Sequence, residues 1–153
     1  MPTTARISYE EFIRLAPDAY AALAAQGKAV DASGLEKSLT ELLKIRASQI
    51  NACAFCLQFH INLARKIGVA TAKIDLAASW REAGVYSARE RAALAWTEAL
   101  CRISEGAPDD ALYAATLEHF SPSELVYLSV SISTINQWNR LGAALRFTPA
   151  AAL

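Results

Sequence analysis

Four serines in this chain stand three residues ahead of a glutamate at the head of an apolar pattern: Ser8 before Glu11, Ser33 before Glu36, Ser87 before Glu90 and Ser121 before Glu124. In such a pair the serine oxygen accepts from the backbone N–H of the third helical residue and the glutamate reaches back to the serine N–H, so two orphan donors are satisfied together. Each pair marks a helix start. Pro122 strengthens the last one, because the first helical position needs no N–H. The 54% of hydrophobic residues is inflated by alanine, the best helix former, while valines are few. The chain is therefore predicted to be all-α.

From those starts the pattern places helices near 8–15, 17–26, 34–48, 52–67, 71–82, 88–104, 109–118 and 122–145. Gly27, Gly68, Gly84 and Gly106 follow four of them as C-terminal stops, and Pro17 separates the first two. There is no internal repeat, low-complexity tract or linker, so residues 1–153 read as one single-domain helical bundle. In the last helix Leu125, Leu128, Ile132, Ile135 and Leu141 form a core stripe, and the serines and asparagines between them leave the other faces polar but uncharged. Such a helix either meets another subunit or crosses the centre of the domain with its hydroxyls bonded to backbone.

Fifteen basic residues balance fifteen acidic ones, which removes the general attraction to phosphate backbones and anionic surfaces. Neither nucleic acid nor membrane is an expected partner. Residues 1–15 contain charged side chains and no continuous apolar region of the secretory kind, and no uninterrupted apolar stretch reaches the roughly 18 residues a membrane span needs. The expected compartment is the cytoplasm, where three cysteines are not accounted for by structural disulfides.

The informative segment is Asn51-Ala-Cys-Ala-Phe-Cys-Leu-Gln-Phe-His60. With Asn51 as N-cap, Cys53 falls in the first helical turn, Cys56 follows at i,i+3 and His60 at a further i,i+4, so the three side chains share one face. A helix N-terminus or a nearby imidazolium lowers a thiol from its usual pKa of about 8.5, and the thiolate is the form that attacks peroxides and disulfides. A second thiol beside it captures a sulfenic acid as a disulfide before irreversible oxidation. On a regular helix the two Cβ atoms would sit roughly 5–6 Å apart, wider than a disulfide wants, so closure is expected to distort the first turn and give a labile bond. Two other readings remain open: a zinc site completed by Cys101, His119 or Glu41, and inert buried thiols. Spacing and compartment rank redox chemistry ahead of both.

The stretch Glu41-Leu-Leu-Lys-Ile-Arg-Ala-Ser-Gln-Ile-Asn-Ala-Cys-Ala-Phe-Cys-Leu-Gln-Phe-His60 resembles the core of the AhpD-like alkylhydroperoxidases, within the carboxymuconolactone decarboxylase-like superfamily: a glutamate, eleven residues, CxxC, three residues and a histidine. The likeness extends through Ser79-Trp-Arg-Glu, the segment Tyr86 to Trp96, and Ile135-Asn-Gln-Trp-Asn-Arg-Leu141. The resemblance implies an all-helical fold that assembles as a homotrimer or homohexamer. It also implies a hydroperoxide substrate, a thiol or dithiol reductant and no bound cofactor. Its catalytic residues carry over as Cys56 for attack, Cys53 for resolution, and His60 with Glu41 as a proton relay. One departure is that founding members have a histidine immediately before the second cysteine, where this chain has Phe55; loss of that base implies slower thiolate formation or a different reception of the reductant. The alternative on the same fold is a non-redox lyase or binding protein.

Read from periodicity alone, Glu41 lies off the stripe of Leu35, Leu39, Leu42 and Leu43, between Lys37 and Lys44, as a solvated ion-pair residue. Arg46 falls within that stripe and is expected to find an acidic or carbonyl partner. Ser48 and Gln49 are expected to cap the chain near the helix junction. Cys101 is expected to be inert core, and His119 to end a helix where its charge suits the dipole. Trp80, Trp96 and Trp138 are expected to fill a core or an interface.

Overall fold

A computed structural model describes residues 4–153, and among these the chain forms eight α-helices and no strand. They are α1 (Tyr9–Leu15), α2 (Pro17–Asp31), α3 (Lys37–Ile50), α4 (Ala54–Lys66), α5 (Thr71–Asp75), α6 (Ala88–Cys101), α7 (Asp110–Leu117) and α8 (Pro122–Leu145), with short 3-10 turns at Ala77–Ser79 and Ile103–Glu105. Ser87/Glu90 and Ser121/Glu124 close full capping boxes, and Ser8 accepts from the Glu11 N–H.

The Ser33/Glu36 pair does not form a box. Ser33 instead ends α2, donating its hydroxyl to the Val30 carbonyl at 2.6 Å, and Gly34 turns the chain at φ 94° before an extended Glu36 caps α3. Glu36 spends its carboxylate on Arg89. Gly27 does not stop α2 either; the helix runs through it to Asp31. Gly68, at φ 84°, does follow the end of α4. The expected helix over 71–82 is broken after Asp75, leaving a single turn and a 3-10 turn.

Helix α3 is the centre of the molecule. It packs against α4, α6 and α8, and its buried set includes Leu42, Leu43 and Ile45 together with Thr40, Glu41 and Ser48. From Leu39 onward none of its residues is exposed, so its polar residues have no solvent face there. Arg46 finds the expected acid: its Nε donates to Glu98 on α6 at 2.8 Å, and Glu98 also accepts from Trp80 Nε1 at 2.9 Å and from Arg81. Helix α8 lies across the other side of α3, with Leu125, Leu128, Ile132 and Ile135 inward, while α2 covers part of α8. The N-terminal segment is tied down where Arg6 and Ile7 donate their backbone N–H groups to the Leu145 carbonyl.

Candidate active site

The turn between α3 and α4 differs from the expected one. Asn51 is the C-cap of α3, Ala52 takes the left-handed conformation at φ 52°, and Cys53, in extended conformation, is the N-cap of α4. Cys53 therefore lies just outside the helix and Cys56 occupies the third helical position. This is the spacing at which an N-cap side chain reaches back over its own helix, so the two sulfurs approach within hydrogen-bonding reach. Cys53 is not held by helical geometry, so the regular-helix separation of roughly 5–6 Å does not describe this pair.

Both sulfurs are buried. The first cause that shifts Cys53 is the hydrogen bond from the Cys56 thiol, followed by the opposing effect of burial and by help from the Phe55 and Cys56 backbone N–H groups and the Asn139 side chain; its pKa falls to about 6. The Cys56 thiol, donating to its neighbour and desolvated, is pushed well up. The turn thus favours negative charge on Cys53, at the helix N-terminus, over Cys56.

Asparagines hold this turn in place. Asn51 Nδ2 donates to Oδ1 of both Asn136 and Asn139 at 2.9 Å each, and Asn139 Nδ2 donates to the Ser48 hydroxyl at 3.1 Å. Ser48 also accepts the Cys53 N–H through its carbonyl at 3.1 Å. Neither Ser48 nor Gln49 caps through its side chain: Gln49 accepts from Arg46. Behind the sulfurs Gly142 of α8 leaves no room, since a Cβ there would stand 2.9 Å from Cys53 Sγ and 3.6 Å from Cys56 Sγ.

Glu41 is 0% exposed, not solvated. One oxygen accepts from Lys44 at 3.0 Å and pairs with Lys37 at 3.2 Å; the other meets His60 Nδ1 at 2.6 Å. Burial works to raise its pKa, but the His60 hydrogen bond and the Lys44 charge outweigh that and bring it to about 2. Burial lowers His60 more than Glu41 raises it, so the imidazole is neutral near pH 7. With His60 neutral, Lys37 and Lys44 keep the carboxylate ionised. The assigned tautomer then carries its proton on Nδ1, toward Glu41, and leaves the Nε2 lone pair as a base.

Cys56, Glu41 and His60 border one cavity of about 330 Å³ among α2, α3, α4 and α8, whose lining includes the rings of Tyr9, Tyr20, Phe55, Phe59 and Trp138 and the lysines Lys28, Lys37 and Lys44. Cys53 does not line it. Phe55 is held among Tyr9 and Phe147, with ring centroids 5.2 Å from each. Cys101 packs on the cluster that contains both sulfurs and receives Asn136 Nδ2 at 3.3 Å, and burial raises its pKa. His119 lies beyond the end of α7, where its carbonyl accepts from Arg89. Among the described residues no three metal-ligating side chains converge, and no helix is long and apolar enough to cross a membrane. The sequence reading missed Asn139 and Gly142, both recognisable only once α8 is known to lie against the CxxC turn.

The profile of the Carboxymuconolactone decarboxylase family matches residues 17–99. The uncharacterized protein YdfG of Bacillus subtilis (strain 168) is 36% identical over 140 residues, covering 92% of this chain and 93% of its own. The chain belongs to the carboxymuconolactone decarboxylase family. A crystal structure from Agrobacterium tumefaciens, of a protein of unknown function described as a candidate antioxidant defence protein AhpD, is 37% identical with a TM-score of 0.90. It covers 97% of this chain and 99% of that one. The AhpD-like fold is thus the fold of this family member. The debrominase Bmp8 in its apo form shares that fold with a TM-score of 0.80 at 22% identity, over 91% of this chain and 75% of the debrominase.

Proposed function

We propose that the chain is a thiol-dependent hydroperoxide reductase that uses Cys56, Cys53, His60 and Glu41. The observation that carries the reading is that the Cys56 sulfur and the His60–Glu41 pair face the same cavity, with Cys53 behind Cys56 and within reach of it. His60 Nε2 takes the Cys56 thiol proton as substrate enters and leaves the cavity-facing sulfur as thiolate. Cys56 Sγ attacks the distal oxygen of ROOH; the O–O bond breaks, the sulfur becomes a sulfenic acid, and the alkoxide takes a proton from His60 to leave as ROH. Cys53, as thiolate, then attacks Cys56 Sγ, forming the S–S bond, breaking the S–O bond and expelling hydroxide, which a proton from solvent converts to water. A dithiol reductant returns both electrons and two protons by exchange. Self-association as a trimer or hexamer belongs to the same reading and is supported by exposed apolar residues such as Val126 and Tyr113.

The test is a thiol count on reduced protein before and after one equivalent of an organic hydroperoxide. Two thiols are expected to disappear, and Cys53→Ser is expected to accumulate sulfenic acid or over-oxidised sulfur. Retention of both thiols over hours by folded protein would refute the reading. It would favour non-redox lyase chemistry run by Glu41 and His60 alone.

A further inference from the structure

Helix α8 turns Ser131, Thr134, Ile135 and Trp138 toward the cavity, the i, i+3, i+4, i+7 set of one helical face. Hydroxyls in helix interiors ordinarily bond back to the carbonyl four residues earlier. Ser129 does so, to Leu125 at 2.8 Å, and Thr134 does so, to Val130 at 2.8 Å. Ser131 does not. Its residue is 1% exposed and its Oγ is the one buried side-chain polar atom without a partner among the described residues. A buried hydroxyl left unsatisfied costs stability unless something fills its place.

A second observation points to the same space. Gly27 lines the cavity from the interior of α2, where glycine is less stable than alanine, yet a Cβ at Gly27 would meet nothing within 4 Å. Neither a turn nor a close contact accounts for it. It leaves room in the cavity beside α2.

We infer that the cavity binds an aromatic-bodied organic hydroperoxide whose far end carries a neutral hydroxyl or carbonyl group, hydrogen-bonded to Ser131. The peroxide end follows from the proposed function, on which this inference rests. Ile135 packs against the sulfurs, and Ser131 lies one turn away, about 6 Å along the helix axis, so the polar group sits across the ring from the reacting oxygen. A neutral group fits better than an anion. The buried Glu41 already engages Lys37, Lys44 and His60, and the third lysine of the lining, Lys28, is exposed to solvent rather than buried with Ser131, so an added carboxylate at Ser131 would lose its hydration without a buried cation in return.

The experiment is calorimetric titration of reduced protein with two unreactive product analogues, 2-phenylpropan-2-ol and its para-hydroxymethyl derivative. The para-hydroxymethyl compound is expected to bind about tenfold more tightly, the factor one hydrogen bond supplies. In Ser131→Ala that preference is expected to collapse to near unity, and in Gly27→Leu both compounds are expected to lose affinity. Equal binding of the two by wild type, a preference that survives Ser131→Ala, or no binding of either at millimolar concentration would overturn the inference. Because neither compound reacts with thiols, its failure is separate from that of the peroxidase reading: protein that binds as expected but keeps both thiols under peroxide loses only the redox assignment.

Discussion

Replacing Glu41 by glutamine keeps the shape of a fully buried side chain and removes its charge, so the consequence is set by electrostatics. The wild-type carboxyl falls from an ordinary 4.5 to about 2 in the folded protein. A depressed carboxylate stabilises the fold at pH values above its unfolded pKa and loses that contribution as pH falls through its folded pKa. At pH 7 the difference corresponds to about 3 kcal/mol as an upper figure, since a neutral His60 contributes less than a charged one. At pH 3 the same linkage leaves about 1.4 kcal/mol. Urea unfolding of wild type and Glu41→Gln at one fixed protein concentration should therefore show a stability gap that narrows by up to roughly 2 kcal/mol between pH 7 and pH 3. Costs that do not titrate, such as Lys44 left beside an amide, cancel in that comparison, and making it in a His60→Gln background keeps the imidazole's own protonation between pH 7 and pH 3 out of the gap. A gap that stays constant with pH would mean that the Glu41 charge is not what the surrounding lysines and His60 stabilise.

The same cluster should govern thiol reactivity: His60→Gln is expected to slow alkylation of Cys56 at pH 7 by about tenfold or more, with part of the rate recovered as pH rises and hydroxide replaces the base. Superimposable pH–rate profiles for wild type and variant would remove His60 from the relay. Gly142→Ala is expected to destabilise by about 1–3 kcal/mol in urea unfolding, because its Cβ would stand 2.9 Å from Cys53 Sγ and a packed sulfur must shift. The sign decides the case, since alanine in an unobstructed helix position would stabilise.

The all-α class and most helix starts were legible because they rest on local chemistry: capping boxes at Ser87 and Ser121 are closed within four residues. The Ser33 box failed because Gly34 offered a turn that used the serine to end α2. Asn51 was misplaced for a related reason. A good N-cap residue is also a good helix terminator, and the left-handed Ala52 that separates α3 from α4 carries no signal in its own side chain. Glu41 was assigned to solvent by a periodicity argument that presumes an exposed face, and from Leu39 onward α3 has none. The likeness of the Glu41 to His60 spacing to the AhpD-like pattern indicated otherwise. Asn139, Gly142 and Ser131 come from a helix some eighty residues downstream, and no local pattern could bring them to the sulfurs or the cavity.

The Asn51, Asn136, Asn139 and Ser48 network holds the CxxC turn against α8 through amides and a hydroxyl only. None of these groups gains or loses a proton over the range in which thiols and imidazole titrate. The framework of the redox turn therefore holds no titrating group of its own: acid or base changes the charge on the sulfurs and on His60, while the amide–amide and amide–hydroxyl bonds that fix the turn keep their donors and acceptors. Over the range in which thiols and imidazole titrate, a pH profile recorded on this protein reads the reacting groups themselves; the fold's own pH dependence through Glu41 sets in only in acid, below the ordinary carboxylate range.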